Sequence, residues 1–368
     1  MTIGVLKEPS FETRVSLLPE TVAVLTKKGI TVTVEQGAGA KAFSTDDDYV
    51  KAGATIGARQ QVLTGAEVLL SIHPPADAAS LENKILIGVF QPLFNVAAME
   101  QWAKQGLTVF SLDMLPRTTR AQSMDVLSSQ ANIAGYKAVL LAATLYPRYF
   151  PMFMTAAGSI APAKVLILGA GVAGLQAIAT ARRLGAVVEV FDTRPAVKEE
   201  VMSLGAKFIE VEGAADASRA GGYAVEQSAE FANRQKAKIA ESIAKSDIVI
   251  TTAQIPGKKA PILITTDMLN SMRKGAVVID LAAATGGNTE QTKNNETIQY
   301  NGITIAGNSA LAGTMPSDAS KLYGKNVLNF LQLFIDKENQ LFLNWDDDLV
   351  KGSCITNEGK VVHERVKA

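Results

Sequence analysis

The chain has 368 residues, of which 47% are hydrophobic, a size and composition typical of two domains with cores of their own. Its 36 basic and 36 acidic residues balance, so nothing indicates a surface that follows nucleic-acid phosphates. The single cysteine, Cys354, excludes an internal disulfide, fits a reducing compartment and is expected to be inert. No secretory signal is visible and no apolar stretch reaches the roughly 18–20 residues that span a bilayer, so we expect a chain that does not itself cross a membrane.

The first third of the chain alternates between strand and helix patterns. Pro19 suits the first turn of a helix and Gly29 suits its end. Strands are predicted over residues 2–6, 31–35, 67–72, 84–90 and 107–112, and helices over residues 19–28, 46–52 and 96–104. This alternation predicts a mostly parallel, doubly wound sheet.

A second alternating series follows a long helical pattern over residues 124–145, which is expected to link two domains and to be buried between them. Residues 151–162 are predicted to form a loop. Beyond the glycine-rich segment described below, strands are predicted over residues 207–211, 247–252, 276–281 and 303–306, and helices over residues 196–204 and 228–246. The order of these elements predicts a Rossmann sheet.

The last part of the chain is predicted to hold one helix, over residues 323–335, and short strands within residues 341–363, with a turn at Asn357-Glu358-Gly359. We expect the helix to return to the first domain, because the tail is too short for a core of its own. The expected fold is α/β, with two doubly wound Rossmann-like domains and an intervening cleft. The first, discontinuous domain comprises residues 1–127 and 310–368, and the second comprises residues 128–309.

The most informative segment runs from an apolar strand, residues 165–168, through the turn Gly169-Ala-Gly171-Val-Ala-Gly174 into a helix. Gly169 permits a tight turn, Gly171 leaves room for a pyrophosphate, and Gly174 lets the helix pack close to the strand. Asp192 ends the next strand, where a carboxylate accepts hydrogen bonds from an adenosine ribose. The same carboxylate repels a 2′-phosphate, so the segment predicts NAD(H) rather than NADP(H) as ligand.

A second polar segment, residues 114–136, lies between a predicted strand and the long helix. Gln122, Asp125 and Ser128 are spaced so that they share one side of the helix start, and their amide, carboxylate and hydroxyl groups suit a carboxamide and a ribose. An ordinary helix N-terminus explains the segment equally well, with Ser123 as the cap and Asp125 near the positive end of the helix dipole. The composition alone leaves both interpretations open.

The segments 114–136, 156–158, 169–186 and 220–223 resemble the NAD(H)-binding component of the proton-translocating nicotinamide nucleotide transhydrogenases, and the resemblance covers essentially the whole chain. It implies that Asp125 and Ser128 hold the nicotinamide carboxamide, and that Gln122 bridges the ribose toward the partner's nucleotide. With Arg117, these three are the expected catalytic group. The resemblance implies cofactor contacts from Arg117, Gln122, Ser123, Met124, Asp125, Ser128, Tyr136, Gly169, Gly171, Val172, Ala173, Gly174, Asp192, Thr193, Arg194, Gly222, Tyr223, Gln235, Ala253 and Gln254.

Two positions depart from the family pattern. Gln227 stands where the family's loop can carry methionine, and Gln254 stands where leucine can lie. Gly222 and Tyr223 belong to the same stretch, residues 212–227, which the resemblance identifies as a lid that closes on bound nucleotide. The residue types alone are equally typical of an exposed loop.

Alanine dehydrogenase is the rival enzyme, since it shares the two-domain plan and the pattern within residues 7–15. Amino-acid oxidation needs proton transfer at nitrogen, and that family uses a lysine and a histidine in the first domain and an aspartate after a late strand. Here His73 follows Ser-Ile where the lysine is required, residues 89–93 hold no histidine, and Ala284 replaces the aspartate. A nucleotide sensor that binds NAD(H) without turnover is the third hypothesis.

The resemblance implies an enzyme that passes hydride between NAD(H) on this chain and NADP(H) on a partner subunit, coupled to proton movement in a membrane subunit. It also implies a homodimer, located in the cytoplasm and attached to the inner membrane through its partners. Two scattered histidines and one cysteine predict no metal site. His73 and His363 are expected to be structural or exposed, and the acids at residues 346–348 are expected to be solvated.

Overall fold

The structure is a computed structural model that describes residues 1–211, 213 and 228–367. The chain forms two compact units, Met1–Gln130 with Gly313–Ala368 and, between them in sequence, Ala131–Ala312. This division falls at residues 130/131 and 312/313, whereas the sequence places the boundaries at 127/128 and 309/310. Among the described residues, no helix combines the length and the apolarity needed to cross a bilayer.

The strands are short and mostly apolar. In chain order they are β1 (Thr2–Val5), β2 (Thr31–Glu35), β3 (Thr55–Gly57), β4 (Val68–Leu70), β5 (Ile85–Gly88), β6 (Thr108–Ser111), β7 (Phe153–Thr155), β8 (Gly158–Ile160), β9 (Lys164–Leu168), β10 (Val187–Phe191), β11 (Lys207–Phe208), β12 (Ile248–Thr251), β13 (Val277–Asp280), β14 (Thr297–Tyr300), β15 (Ile303–Ala306), β16 (Cys354–Asn357) and β17 (Lys360–Val361).

The α-helices mostly follow strands, as a doubly wound fold requires. They are α1 (Pro19–Thr26), α2 (Asp46–Lys51), α3 (Arg59–Gly65), α4 (Val96–Lys104), α5 (Val126–Leu145), α6 (Val172–Arg183), α7 (Lys198–Ser203), α8 (Ala229–Ile243), α9 (Thr266–Asn270), α10 (Pro316–Leu331), α11 (Asp348–Ser353) and α12 (Glu364–Lys367).

The sheet of the first unit has the strand order β17-β16-β6-β5-β4-β1-β2-β3. Strands β1 to β6 pair in parallel, and β16 joins β6 antiparallel. The predicted turn closes the hairpin β16–β17, with φ of 48° at Glu358 and 76° at Gly359. Two successive positive φ values are what a two-residue hairpin turn requires.

The sheet of the second unit has the order β11-β10-β9-β12-β13-β15-β14 and is parallel except for the edge strand β14. The strand order reverses at β9, which has β10 on one side and β12 on the other. Val165 and Ile167 pack into one core cluster, while Leu166 and Leu168 pack into another. The sheet is therefore apolar on both faces, and the predicted doubly wound α/β architecture is confirmed.

Three local predictions were wrong. The last long helix begins at Pro316 rather than at residue 323, because proline is well accommodated in a first helical turn. Residues 151–162 hold the hairpin β7–β8 rather than a loop. Strand β3 and helix α3 were missed, because each is short and Gly57 and Gly65 at their ends resemble loop residues.

Candidate functional site

The glycine turn joins β9 to α6 at the carboxyl edge of the second sheet. A Cβ on Gly169, whose φ is +107°, would lie 2.3 Å from Thr252 Oγ1, and one on Gly174 would lie 1.9 Å from the Gly169 carbonyl oxygen. A Cβ on Gly171 would meet no protein atom within 4 Å. Packing thus requires Gly169 and Gly174, whereas the space above Gly171 is open beside the first N–H groups of α6, which lack intrahelical acceptors.

Asp192 follows β10 and is bound to the same turn. Its Oδ2 accepts the Ala170 N–H at 2.7 Å and Arg194 Nη2 at 2.7 Å, and its Oδ1 accepts the Arg194 N–H at 2.8 Å and Nε at 2.9 Å. These hydrogen bonds raise the pKa of the Arg194 guanidinium. A carboxylate has about four acceptor positions, so Arg194 occupies most of those that the sequence assigned to a ribose.

Asp125 and Ser128, in the first unit, contact each other directly. Asp125 Oδ1 accepts the Ser128 N–H at 2.9 Å, and Oδ2 accepts the Ser128 hydroxyl at 2.6 Å. Asp125 is therefore the residue that caps α5, and the expectation that Ser123 does so was wrong. Residues Thr119–Met124 form a 3₁₀ turn, which delays the start of the α-helix beyond Ser123.

Distant side chains hold this 3₁₀ turn in place. The Ser123 carbonyl accepts hydrogen bonds from Asn326 Nδ2 at 2.8 Å and Asn329 Nδ2 at 2.9 Å. Arg120 pairs bidentately with Asp347 at 2.7 Å and also contacts Asp348. Asp347 in addition accepts the Leu349 N–H as N-cap of α11, so its expected solvation was wrong.

The remaining predicted residues differ in exposure. Gln122 and Arg117 are exposed, as are Tyr136 and Val172, while Met124 is buried. Half-buried positions are Ala173, Thr193, Gln235 and Ala253, and Gln254 is exposed with its Nε2 donating to the Leu281 carbonyl at 2.9 Å. Gly222, Tyr223 and Gln227 lie outside the described residues.

Sequence reasoning missed two residues that support the second unit's site. A Cβ on Gly135 would lie 2.1 Å from the Ala173 carbonyl oxygen, so this glycine lets α5 approach the N-terminus of α6. Asn288 is completely buried and accepts the Ala253 N–H at 3.0 Å. The glycine pair before Asn288 was the available signal, since it indicates a tight turn after β13.

A cluster of charged residues lies in the first unit, around a cavity of about 220 Å³ lined by Glu8, His73 and Arg59. His73 Nε2 lies 2.7 Å from a Glu12 carboxylate oxygen, and Arg14 binds the same carboxylate through Nε and Nη2. Burial acts to raise the pKa of Glu12, but the hydrogen bonds from Arg14 and His73 lower it overall. His73 is thus a member of a polar network.

Glu8 and Cys354 are the buried titratable groups whose pKa values burial raises most simply. Burial raises the pKa of Glu8 to about 7, although its two oxygens accept the Ile72 N–H at 2.6 Å and the His73 N–H at 3.1 Å. Burial likewise raises the pKa of the Cys354 thiol to about 12, which keeps it protonated and unreactive at neutral pH.

Comparison with known proteins places these features in a family. The family model "Alanine dehydrogenase/PNT, N-terminal domain" matches residues 4–134, and the model of the corresponding C-terminal domain matches residues 138–364. An NAD(P) transhydrogenase subunit alpha of Rhodospirillum rubrum is 45% identical over 364 residues, covering 96% of this chain and 95% of the relative. A crystal structure of transhydrogenase from Sinorhizobium meliloti has a TM-score of 0.90 at 45% identity and covers 98% of this chain and 100% of that one.

The rival family is structurally similar but less similar in sequence. A solved L-alanine dehydrogenase has a TM-score of 0.82 at 25% identity, covering 100% of this chain and 98% of that one. The identity to the transhydrogenases is much higher and extends over nearly the full length of both proteins. The chain therefore belongs to the alanine dehydrogenase/PNT family and, within it, to the NAD(P) transhydrogenase alpha subunits, as its sequence motifs predicted.

Proposed function

We propose that this chain binds NAD(H) and passes hydride between it and NADP(H) held by a partner subunit of the transhydrogenase. The observation that carries the proposal is the open space at Gly171, beside the N-terminus of α6 and close to Asp192. A dinucleotide pyrophosphate fits there because helix N-terminal N–H groups bind anions and no side chain blocks their approach.

The second unit supplies the groups that would hold the adenosine and phosphate half of the cofactor. The turn Gly169–Gly174, with Val172 and Ala173 at the start of α6, binds the phosphates. Asp192 accepts the ribose hydroxyls once the Arg194 side chain gives up its bonds to that carboxylate. Thr193, Gln235, Ala253 and Gln254 are the further contacts that the resemblance implies.

Residues 117–128 would act on the nicotinamide end. The Asp125 carboxylate and Ser128 hydroxyl orient the carboxamide, and Gln122, Ser123 and Arg117 are exposed and available to the ribose and to the partner's nucleotide. The reduced nicotinamide, when bound, supplies the hydride. Hydride exchange between two nicotinamides needs close approach and exclusion of water rather than protonation, so this chain's contribution is to position the ring.

The partners follow from the name of the relatives, since a subunit alpha belongs to an enzyme of several chains. We propose an NADP(H)-binding subunit and a membrane subunit that moves protons, with this chain attached to the cytoplasmic face of the inner membrane through them. Tyr223 and Gly222 are proposed to belong to a lid over the bound nucleotide.

The hairpin β7–β8 supports a homodimer as the assembly of this chain. Its residues are exposed, and Met154 is 72% exposed. The Phe153 ring stacks on Tyr149 with centroids 5.0 Å apart. A lone two-stranded hairpin with apolar side chains in water is marginally stable, and a second copy of the chain would cover it. Sedimentation of the full chain tests this assembly.

One mixing experiment tests the function against both alternatives. The purified chain, combined with an NADP(H)-binding transhydrogenase subunit, is expected to reduce an NAD⁺ analogue from NADPH. Alanine-dependent formation of NADH by the chain alone would instead identify an alanine dehydrogenase. Binding of NADH with neither reaction would identify a nucleotide sensor and contradict the proposal.

A further inference from the structure

The loop that follows β12 lies directly beside the glycine turn. Strands β9 and β12 pair in parallel with Thr251 opposite Leu168, so their carboxyl ends lie at the same level. The Thr252 N–H donates to the Leu168 carbonyl at 2.9 Å, and its hydroxyl donates to the Gly169 carbonyl at 3.2 Å. The strand order reverses between these strands, and such a switch point is where dinucleotides bind in doubly wound sheets.

A single buried amide fixes both ends of this loop. Asn288 has no exposed surface, and its Oδ1 accepts the Ala253 N–H at 3.0 Å. Its Nδ2 donates to the Ala253 carbonyl at 2.9 Å and to the Pro261 carbonyl at 2.8 Å. Asn288 thus pairs with Ala253 through both backbone groups, as a neighbouring strand would, and joins Ala253 to Pro261 at the other end of the loop.

Asp280 in turn fixes Asn288. It is the last residue of β13 and has no exposed surface, and its Oδ2 accepts the Asn288 N–H at 2.6 Å and the Thr292 hydroxyl at 2.6 Å. Its Oδ1 accepts the Ala282 N–H at 2.9 Å. The carboxylate is therefore held by hydrogen bonds on both oxygens, and the chain of contacts runs from β13 through Asn288 to the loop beside the glycine turn.

We propose that Asn288, held by Asp280, is a positioning residue that fixes the Ala253–Gln254 backbone as one wall of the dinucleotide site. This inference rests on the proposed function. Only an amide of this length both accepts from Ala253 and donates to two carbonyls. An aspartate at this position keeps the acceptor but lacks both donors, and an alanine leaves three buried backbone groups without their partner, each costing about 1–3 kcal/mol.

The test compares Asn288 with Asp247, a buried polar residue at the opposite end of the same strands. Asp247 precedes β12, accepts the Lys164 N–H at 2.9 Å and binds Arg273 at 3.1 Å. We expect N288A and D247A both to lower the melting temperature. Only N288A is expected to weaken NADH binding, by about tenfold or more, measured by calorimetry on the full chain well below either melting temperature.

Hydrogen exchange provides a readout that does not depend on NADH. Amides of residues 253–260 should exchange faster in N288A than in D247A. N288D, which keeps the side-chain volume, serves if N288A does not fold, and the same weakening of NADH binding is expected. Equal loss of NADH affinity in the Asn288 and Asp247 variants, or unchanged exchange of the loop, overturns the inference while leaving the proposed function intact. A wild-type chain that binds no NADH overturns both.

Discussion

The glycine turn of the second unit and residues 117–128 of the first unit are both candidates for cofactor contact, but the chain holds them in different ways. Neighbouring strands and a local carboxylate hold the glycine turn, as in the 2.7 Å bond from the Ala170 N–H to Asp192. Residues 117–128 depend on partners about two hundred positions away, such as Asn326 on Ser123 and Asp347 on Arg120. Local spacing can therefore reveal the first region, whereas only the folded chain reveals what supports the second.

Glycine substitutions break the comparison most strongly. G174A is expected to lower the unfolding free energy by about 3 kcal/mol, because its new Cβ would lie 1.9 Å from the Gly169 carbonyl oxygen and the helix must move away from β9. Chemical denaturation of the full chain measures this loss.

G171A is the matched control for that effect. Its Cβ meets no protein atom within 4 Å, so stability should change by less than about 0.5 kcal/mol. NADH binding should nevertheless weaken by about tenfold or more, because the methyl group occupies the space proposed for the pyrophosphate. Unchanged NADH affinity in a folded G171A variant would contradict the proposed site.

The Glu8 carboxyl gives the first unit an expected dependence of stability on pH. With a folded-state pKa of about 7 against an ordinary value of 4.5, Glu8 stabilises the fold fully below pH 4.5, and this stabilisation is lost as pH rises through 7. The loss has an upper limit of about 3 kcal/mol. Unfolding free energies of wild type and E8Q, measured from pH 4.5 to 8, should show this decline only in wild type.

The slope, rather than the absolute stability, is the meaningful readout for Glu8. A glutamine amide NH₂ cannot accept the His73 N–H, so E8Q is expected to be less stable at every pH. The lowered pKa of Glu12 acts in the opposite direction, because its stabilisation is lost as pH falls below 4.5. A decline of the same size in E8Q and wild type between pH 4.5 and 8 would show that another group causes it.

Asp125 separates a role in hydride transfer from a role as helix cap. Asparagine is as good an N-cap as aspartate, so D125N should keep α5 intact. It removes the charge that accepts the Ser128 hydroxyl, and we expect hydride transfer to the partner's nucleotide to slow by about 100-fold through misplacement of the ring. The NADH dissociation constant should change by less than about threefold.

Ser129 is the matched control in the same helical turn, since its hydroxyl donates to the Val126 carbonyl at 3.2 Å instead of to Asp125. S129A should leave the rate and NADH affinity unchanged. If D125N lost rate and affinity to the same extent, Asp125 would contribute to cofactor binding throughout the reaction rather than to the transfer step.

The sequence predicted the elements whose causes are local. The Gly359 turn, helix α4 and strand β15 follow from turn residues and apolar runs within a few positions. The start of α5 was placed too early because the 3₁₀ turn before it is held by Asn326 and Asn329, which no local pattern connects to Ser123. Asn288 was missed for the same reason, since its partners Ala253 and Pro261 are remote in sequence.

The smallest expected effect concerns the remote support itself. Arg120 is half exposed, so its pair with Asp347 should contribute only about 0.5 kcal/mol to stability. A double-mutant cycle with R120A and D347N isolates that coupling, because asparagine still caps α11. Hydride transfer in R120A should nevertheless slow several-fold more than stability suggests, since Arg120 lies in the same 3₁₀ turn as Gln122 and steadies it. A rate equal to wild type in R120A would mean that the two asparagines at Ser123 suffice to hold the segment.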